Sequence, residues 1–236
     1  MVAILKKEIQ SFFASPVGYL VIGVFLITNG LFLWVIKGDY NIFNYGFADL
    51  SGYYFLAPWL FLFLIPAITM KSFSEEKRQG TLELLLTKPI SLTQLILGKY
   101  LGVMSLIIIA LIPTLLYIYT VHQLGNPVGN IDLGSAIGAY TGLLGIAMIY
   151  SAIGIFTSTI STNQIVSFIL AVIICFTMYF GFDTLSENTI NTVNLIGIRS
   201  HFETVSKGII DTRDIIYFIS TTALFLYFTK LILAKK

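Results

Sequence analysis

Residues 71–99, KSFSEEKRQGTLELLLTKPISLTQLILGK, form a long charged interruption in a sequence that otherwise reads as membrane. Two apolar runs precede the segment and four follow it. Ser74-Glu75-Glu76-Lys77 reads as a helix start, with acids in the first turn complementing the helix dipole. Gly80 punctuates that helix, and Glu76 and Arg78 are expected to stand exposed on it. A second helical piece places Leu82, Leu85 and Leu86 on one face and Glu83 elsewhere, until Pro89 stops it. Ser91 then caps a third helix whose Leu92, Leu95 and Ile96 lead into the next apolar run. Charged, leucine-bearing helices set between membrane spans suit a docking surface, and a solvated loop with interfacial leucines fits the same residues.

The rest of the chain supports the membrane setting. Of its 236 residues, 56% are hydrophobic and 11% charged, against about 25% charged in an ordinary soluble domain. A bilayer core needs about 20 apolar residues per helix, and runs near 17–36, 53–70, 100–121, 135–156, 165–182 and 215–233 meet that need. The fold class expected is all-α: a polytopic membrane protein of six spans in one domain covering 1–236. Residues 71–99 form its inner segment and 183–214 an outer loop with apolar pieces too short to span. Lys6 and Lys7 ahead of the first run would suit a secretory leader, but the run is longer than an h-region and lacks a small-x-small site after it, so it is read as a retained span. Residues 1–15 carry Leu5, Ile9, Phe12 and Phe13 at helical spacing, as an interfacial helix would.

Charge sets the expected orientation. With the N-terminus inside, Lys6, Lys7, Lys71, Lys77, Arg78, Lys88, Lys99, Lys230, Lys235 and Lys236 share the inner side, while Lys37, Arg199, Lys207 and Arg213 fall outside. That asymmetry follows the positive-inside rule, with both termini cytosolic. The acids Asp39, Asp49, Asp132, Asp183, Glu187, Glu203, Asp211 and Asp214 gather on the outer side. Tyr40, Phe43, Tyr45, Tyr53 and Tyr54 suit a headgroup-level aromatic belt there. Gly134, Gly138 and Gly142 lie in register on the fourth span, a small-xxx-small face that lets helix backbones approach closely, and Gly98 and Gly102 repeat the spacing on the third.

Little in the sequence offers chemistry. No span carries a charge at its middle, which argues against a proton relay or an intramembrane protease built on acids or zinc. His122 and His201 lie at span ends or in outer loops, and Cys175 stands alone in an apolar run. Gly98-Lys99 lacks the upstream glycine of a phosphate-binding loop, so the chain does not supply nucleotide energy itself.

Residues 73–86, FSEEKRQGTLELLL, continuing through Thr87-Lys88-Pro89-Ile90 to Gly98-Lys99-Tyr100-Leu101, resemble the hallmark of ABC-2 type transporter permeases. The resemblance implies that the acidic helix is a coupling helix fitting a cleft on an ATPase subunit. Glu75, Glu76, Arg78, Gly80, Thr81 and Glu83 inherit that role by position. It further implies an ATPase partner that uses the ATP, a second permease half, contact with membrane lipids, and no cofactor or nucleic acid of the chain's own. Lys7-Glu8, Ser15-Pro16 and the stretch from His201-Phe202 to Lys207-Gly208-Ile209-Ile210-Asp211 resemble the gliding-motility and nitrous-oxide-reductase maturation branches. The implied setting is the bacterial cytoplasmic membrane and the implied activity export. An envelope-anchoring subunit and a membrane enzyme of lipid metabolism are the alternatives at this stage.

Overall fold

The computed structural model describes residues 1–87, 90–184 and 196–234. The expected helix stop at Pro89, the acid Glu187, the apolar piece beginning at Val193, and Lys235 and Lys236 lie outside them. Among the described residues the regular elements are all helical, and six helices are long and apolar enough to cross a membrane.

Helix α1 (Val2–Ala14) precedes α2 (Pro16–Gly30), which opens with proline at its first turn, where a missing N–H costs nothing. A π turn, Leu31–Val35, ends that span. One-turn α3 (Ile42–Tyr45) follows, with Asn41 accepting the Phe43 amide at 3.0 Å. The second span is α4 (Ser51–Thr69), and here the structure corrects the sequence reading. Helix α5 (Lys71–Arg78) has no separate start at Ser74, because Met70 keeps helical dihedrals and donates its amide to Pro66 O at 2.9 Å. The Ser74 hydroxyl bonds back to the Met70 carbonyl, as an interior serine does, instead of capping. Span and acidic helix are one helix running from Ser51 to Arg78.

Gly80 turns the chain with φ of +68°, a left-handed conformation that suits glycine, and α6 (Thr81–Leu86) follows. Ser91 Oγ accepts the Gln94 amide at 3.2 Å and starts α7 (Leu92–Leu111), ahead of the apolar run that begins at Tyr100. Pro113 sits in a 3-10 turn, Ile112–Thr114, between α7 and α8 (Leu115–Leu124). Asp132 caps α9 (Leu133–Ile160), accepting amides of Gly134 and Ser135 at 2.9 and 3.2 Å. A three-residue turn leads to α10 (Gln164–Phe176), which runs into a second π turn, Thr177–Gly181. Short α11 (Ile198–Ser206) and the last span α12 (Thr212–Ala234) complete the chain.

Helix α9 is the axis of the bundle, packed by α4, α5, α7, α10, α11 and α12. In its most apolar stretch 78% is buried, against 22% for the spans of α2 and α10. Small residues make that centrality possible, because a helix presenting hydrogen or methyl groups lets neighbours come close. A Cβ on Gly145 would lie 2.7 Å from the Phe218 ring of α12, and one on Gly154 would collide with Thr69 Oγ1 of α4. Peripheral helices divide by face. On α10, Ser167, Ala171 and Cys175 are buried while Ile165, Ile169 and Ile173 are exposed, the side a lipid chain would cover.

Contacts sort the ends of the bundle. One end gathers α1, α5, the start of α7 and the end of α9; the other gathers the start of α9, α11 and the start of α12. The first is called the charged end below and the second the far end.

Candidate functional site

At the charged end three elements converge on one cation. Lys99, on the first turns of α7, is 3% exposed. Its Nζ donates to Glu76 Oε1 of α5 at 2.7 Å, to the Ser72 carbonyl at 2.7 Å and to Glu8 Oε1 of α1 at 3.1 Å. It also lies 5.0 Å from the centre of the Phe73 ring. Two carboxylates and a carbonyl around one ammonium satisfy its three N–H donors, as a buried polar group requires. Lys7 stands 3.9 Å from Glu76 but is largely exposed, so it adds little. Helix α1 reaches the cluster because Gly98 and Gly102 carry no side chain: a Cβ there would lie 2.8 Å from Ile4 and 2.7 Å from Glu8. Ile4, Glu8 and Phe12 thus form the protein-facing stripe of α1, while Leu5, Ile9 and Phe13 stay half-exposed, as an interfacial helix requires.

The six residues expected to form a coupling surface divide between two surroundings. Glu76 corrects the expectation of exposure: its side chain is 13% exposed and is held by Lys99, with Oε2 buried and without a hydrogen-bond partner among the described residues. Glu75 lines a groove of about 520 Å³ between α1, α5 and α6, together with Gln79, Thr81 and Leu84. Gln79 Nε2 donates to Glu75 Oε1 at 3.3 Å, and Thr81 Oγ1 donates to the Glu76 carbonyl at 3.3 Å, closing the Gly80 turn. Arg78, Gly80 and Glu83 are exposed, and so is Leu84 at 66%. Lys77 donates to the Thr159 carbonyl, so α5 is tied to the last turn of α9 as well as to α7. The turn around Gly80 therefore projects from a clamped root.

The glycines of the fourth span lie at the far end. A Cβ on Gly138 would collide with the Val205 carbonyl of α11, and one on Gly142 would sit 2.7 Å from the Phe202 ring. Gly134 meets Gly208, whose own Cβ position is 3.0 Å from the Gly134 carbonyl carbon. Ser135 Oγ donates to the Ser206 carbonyl at 2.7 Å along the same seam.

The sequence profile of the ABC-2 family transporter proteins matches residues 2–236. The chain belongs to the ABC-2 family. No curated protein matches it closely enough to narrow the assignment. An ABC-2 protein is the membrane subunit of a transporter whose energy comes, in general, from an ABC ATPase. The clamped, charged end of this ABC-2 chain and its all-helical, six-span body fit that membership.

Other polar sites of the ABC-2 chain were not legible in its sequence. The sequence places Lys99 among the inner-side charges and in the family stretch without marking it as buried. Its position inside a helix capped at Ser91, flanked by Gly98 and Gly102, was the signal that it is enclosed. Thr114, in the 3-10 turn, donates to the Leu111 carbonyl at 2.6 Å and accepts from Tyr53 and Tyr140, each at 3.0 Å. At the far end His201 Nδ1 lies 2.6 Å from Asp214 Oδ1, and the His201 ring stacks on Tyr217 at 3.9 Å. Arg199 pairs with Glu203 at 2.7 Å and Asp183 at 3.5 Å. Burial works against the Arg199 cation, but the bond to Glu203 and the two nearby acids outweigh it and hold its pKa above the usual value.

Proposed function

We propose that this ABC-2 chain is the permease half of an ATP-driven exporter, with both termini in the cytosol and the charged end docking a separate ATPase subunit. The carrying observation is the exposed Arg78–Gly80–Glu83–Leu84 turn on a helix continuous with a membrane span and anchored behind by Lys99. A partner that moves this turn moves α4 with it, and a ligand shifts a conformational equilibrium only through such differential contact. Glu75 and Thr81, on the adjoining groove, complete the surface. A second permease half, identical or related, completes the transporter. The sequence resemblance supports the gliding-motility branch and the bacterial cytoplasmic membrane as its setting.

The test uses the exposed residues alone. Arg78→Glu and Glu83→Lys should leave thermal stability within about 0.5 kcal/mol of wild type, as exposed substitutions do. Each should nonetheless abolish co-purification of the partner ABC ATPase, or its stimulated ATP hydrolysis. Full ATPase binding and full stimulation in both variants would remove the coupling role from this turn.

A further inference from the structure

At the far end α4, the π turn after α10 and α11 enclose a cleft of about 290 Å³. Its floor is aromatic. Trp59 lies against Phe180 with ring centres 4.6 Å apart, and Phe55 and Phe202 line the same space. The π turn is what brings Phe180 there, and such turns are frequent at functional sites. The rim is charged, with Arg199 standing 6.0 Å over the Phe180 ring and Lys207 lining the cleft.

The polarity changes along the membrane normal. Trp59 lies eight residues inside α4 from Ser51, about 12 Å at 1.5 Å per residue. Arg199 is on α11 and Lys207 directly follows it, outside the spans. The cleft thus runs from charged groups at headgroup level to aromatic rings at hydrocarbon level. Of its two acids, Glu203 holds Arg199 at 2.7 Å, and Asp49 accepts the Ser51 amide at 2.8 Å. Among the described residues Lys207 makes no ion pair, so its ammonium is available to an anion at the rim of the aromatic floor. An aromatic belt alone would turn its rings outward, whereas Trp59 is half-buried against Phe180.

We propose that this cleft binds a membrane phospholipid with an anionic headgroup, its phosphate end at Lys207 beside Arg199 and its upper hydrocarbon on Trp59 and Phe180. The polarity of such a lipid runs the same way as that of the cleft. The measurement of binding here needs no ATPase, so this proposal and the exporter reading fail separately.

The chain holds two tryptophans, so Trp34→Phe leaves Trp59 as the sole reporter. Full-length Trp34→Phe protein is placed in nanodiscs of phosphatidylcholine carrying a small fraction of brominated lipid, which quenches tryptophan on contact. Brominated phosphatidylglycerol should quench Trp59 with about two- to fivefold higher apparent affinity than brominated phosphatidylcholine, the gain of one solvent-screened ion pair. Lys207→Ala should erase the difference, and Lys37→Ala, at the same end but away from the cleft, should keep it. Equal quenching by the two lipids, or a preference that survives Lys207→Ala, overturns the proposal. So does a preference lost to inorganic phosphate at matched ionic strength, which would assign the site to a soluble anion.

Discussion

Replacing Lys99 by methionine keeps the unbranched apolar stem of the side chain and removes its ammonium group. The change leaves Glu8 and Glu76, 14% and 13% exposed, facing each other without the ammonium between them. The Ser72 carbonyl also loses its 2.7 Å donor. Breaking one member of a buried ion pair costs about 3–5 kcal/mol, and the thin edge of exposure on both carboxylates puts the expected loss near the lower figure, about 3 kcal/mol. For a chain of this length that corresponds to a fall of about 6–12 °C in unfolding midpoint. The assay is thermal unfolding of the purified chain in a fixed detergent, followed by tryptophan fluorescence. Glu76→Gln in the Lys99→Met background should recover part of the loss, with a coupling energy of at least about 1 kcal/mol in the double-mutant cycle. A midpoint within about 2 °C of wild type and a cycle without coupling would show that the cluster does not hold the charged end together. The same geometry bears on Glu76→Lys, which would bring a second ammonium beside the first in place of the carboxylate that holds it. That variant should be destabilised like Lys99→Met, so its loss of partner binding would not report docking.

Gly138→Ala should cost about 1–3 kcal/mol by forcing a methyl against the Val205 carbonyl, while Gly30→Ala, whose Cβ meets nothing within 4 Å, should be neutral or mildly stabilising in the same unfolding assay. Equal midpoints for the two would mean that α11 yields freely. Thr114→Val leaves the Tyr53 and Tyr140 hydroxyls without their shared acceptor and should lower stability by about 1–3 kcal/mol, read by the same melt; Thr114→Ser should restore it. For orientation, a cysteine at Asn44 should label from outside intact cells and one at Gln79 should not, in a Cys175→Ser background; outside labelling at Gln79 would invert the topology.

Six spans were legible because length and apolarity are properties of contiguous residues. The Ser91 cap and the Gly80 turn were legible for the same reason, since a hydroxyl three residues before an amide and a left-handed glycine act locally. Glu76 was misjudged because its surroundings are assembled from afar: Lys99 lies 23 residues along the chain from it, and Glu8 lies 91 residues from Lys99. A carboxylate in a charged segment is exposed by default, and only the approach of α1 across Gly98 and Gly102 encloses this one. The start of α5 was misplaced for a different reason. Ser74 has the chemistry of a cap, but nothing between Met70 and Ser74 interrupts the helix arriving from the membrane, so its hydroxyl turned inward. The far-end cleft depends on a π turn and on the packing of α11 against it and against α9, neither of which leaves a local signature.

The contact between Gly154 and Thr69 gives the helix from Ser51 to Arg78 a fulcrum. From Thr69 to Arg78 is nine residues and from Thr69 to Ser51 eighteen, or about 14 Å and about 27 Å of rod at 1.5 Å per residue. A lever with those arms reverses displacement and roughly doubles it. Spin labels at Gln79 and Phe55, each measured against one at Leu144 on α9, should then move in opposite senses when the partner binds, and movement in the same sense would discard the pivot. With that gearing, an ångström of travel imposed at the Gly80 turn arrives as about one at Trp59 and about one and a half at Phe55, ten and fourteen residues from the pivot.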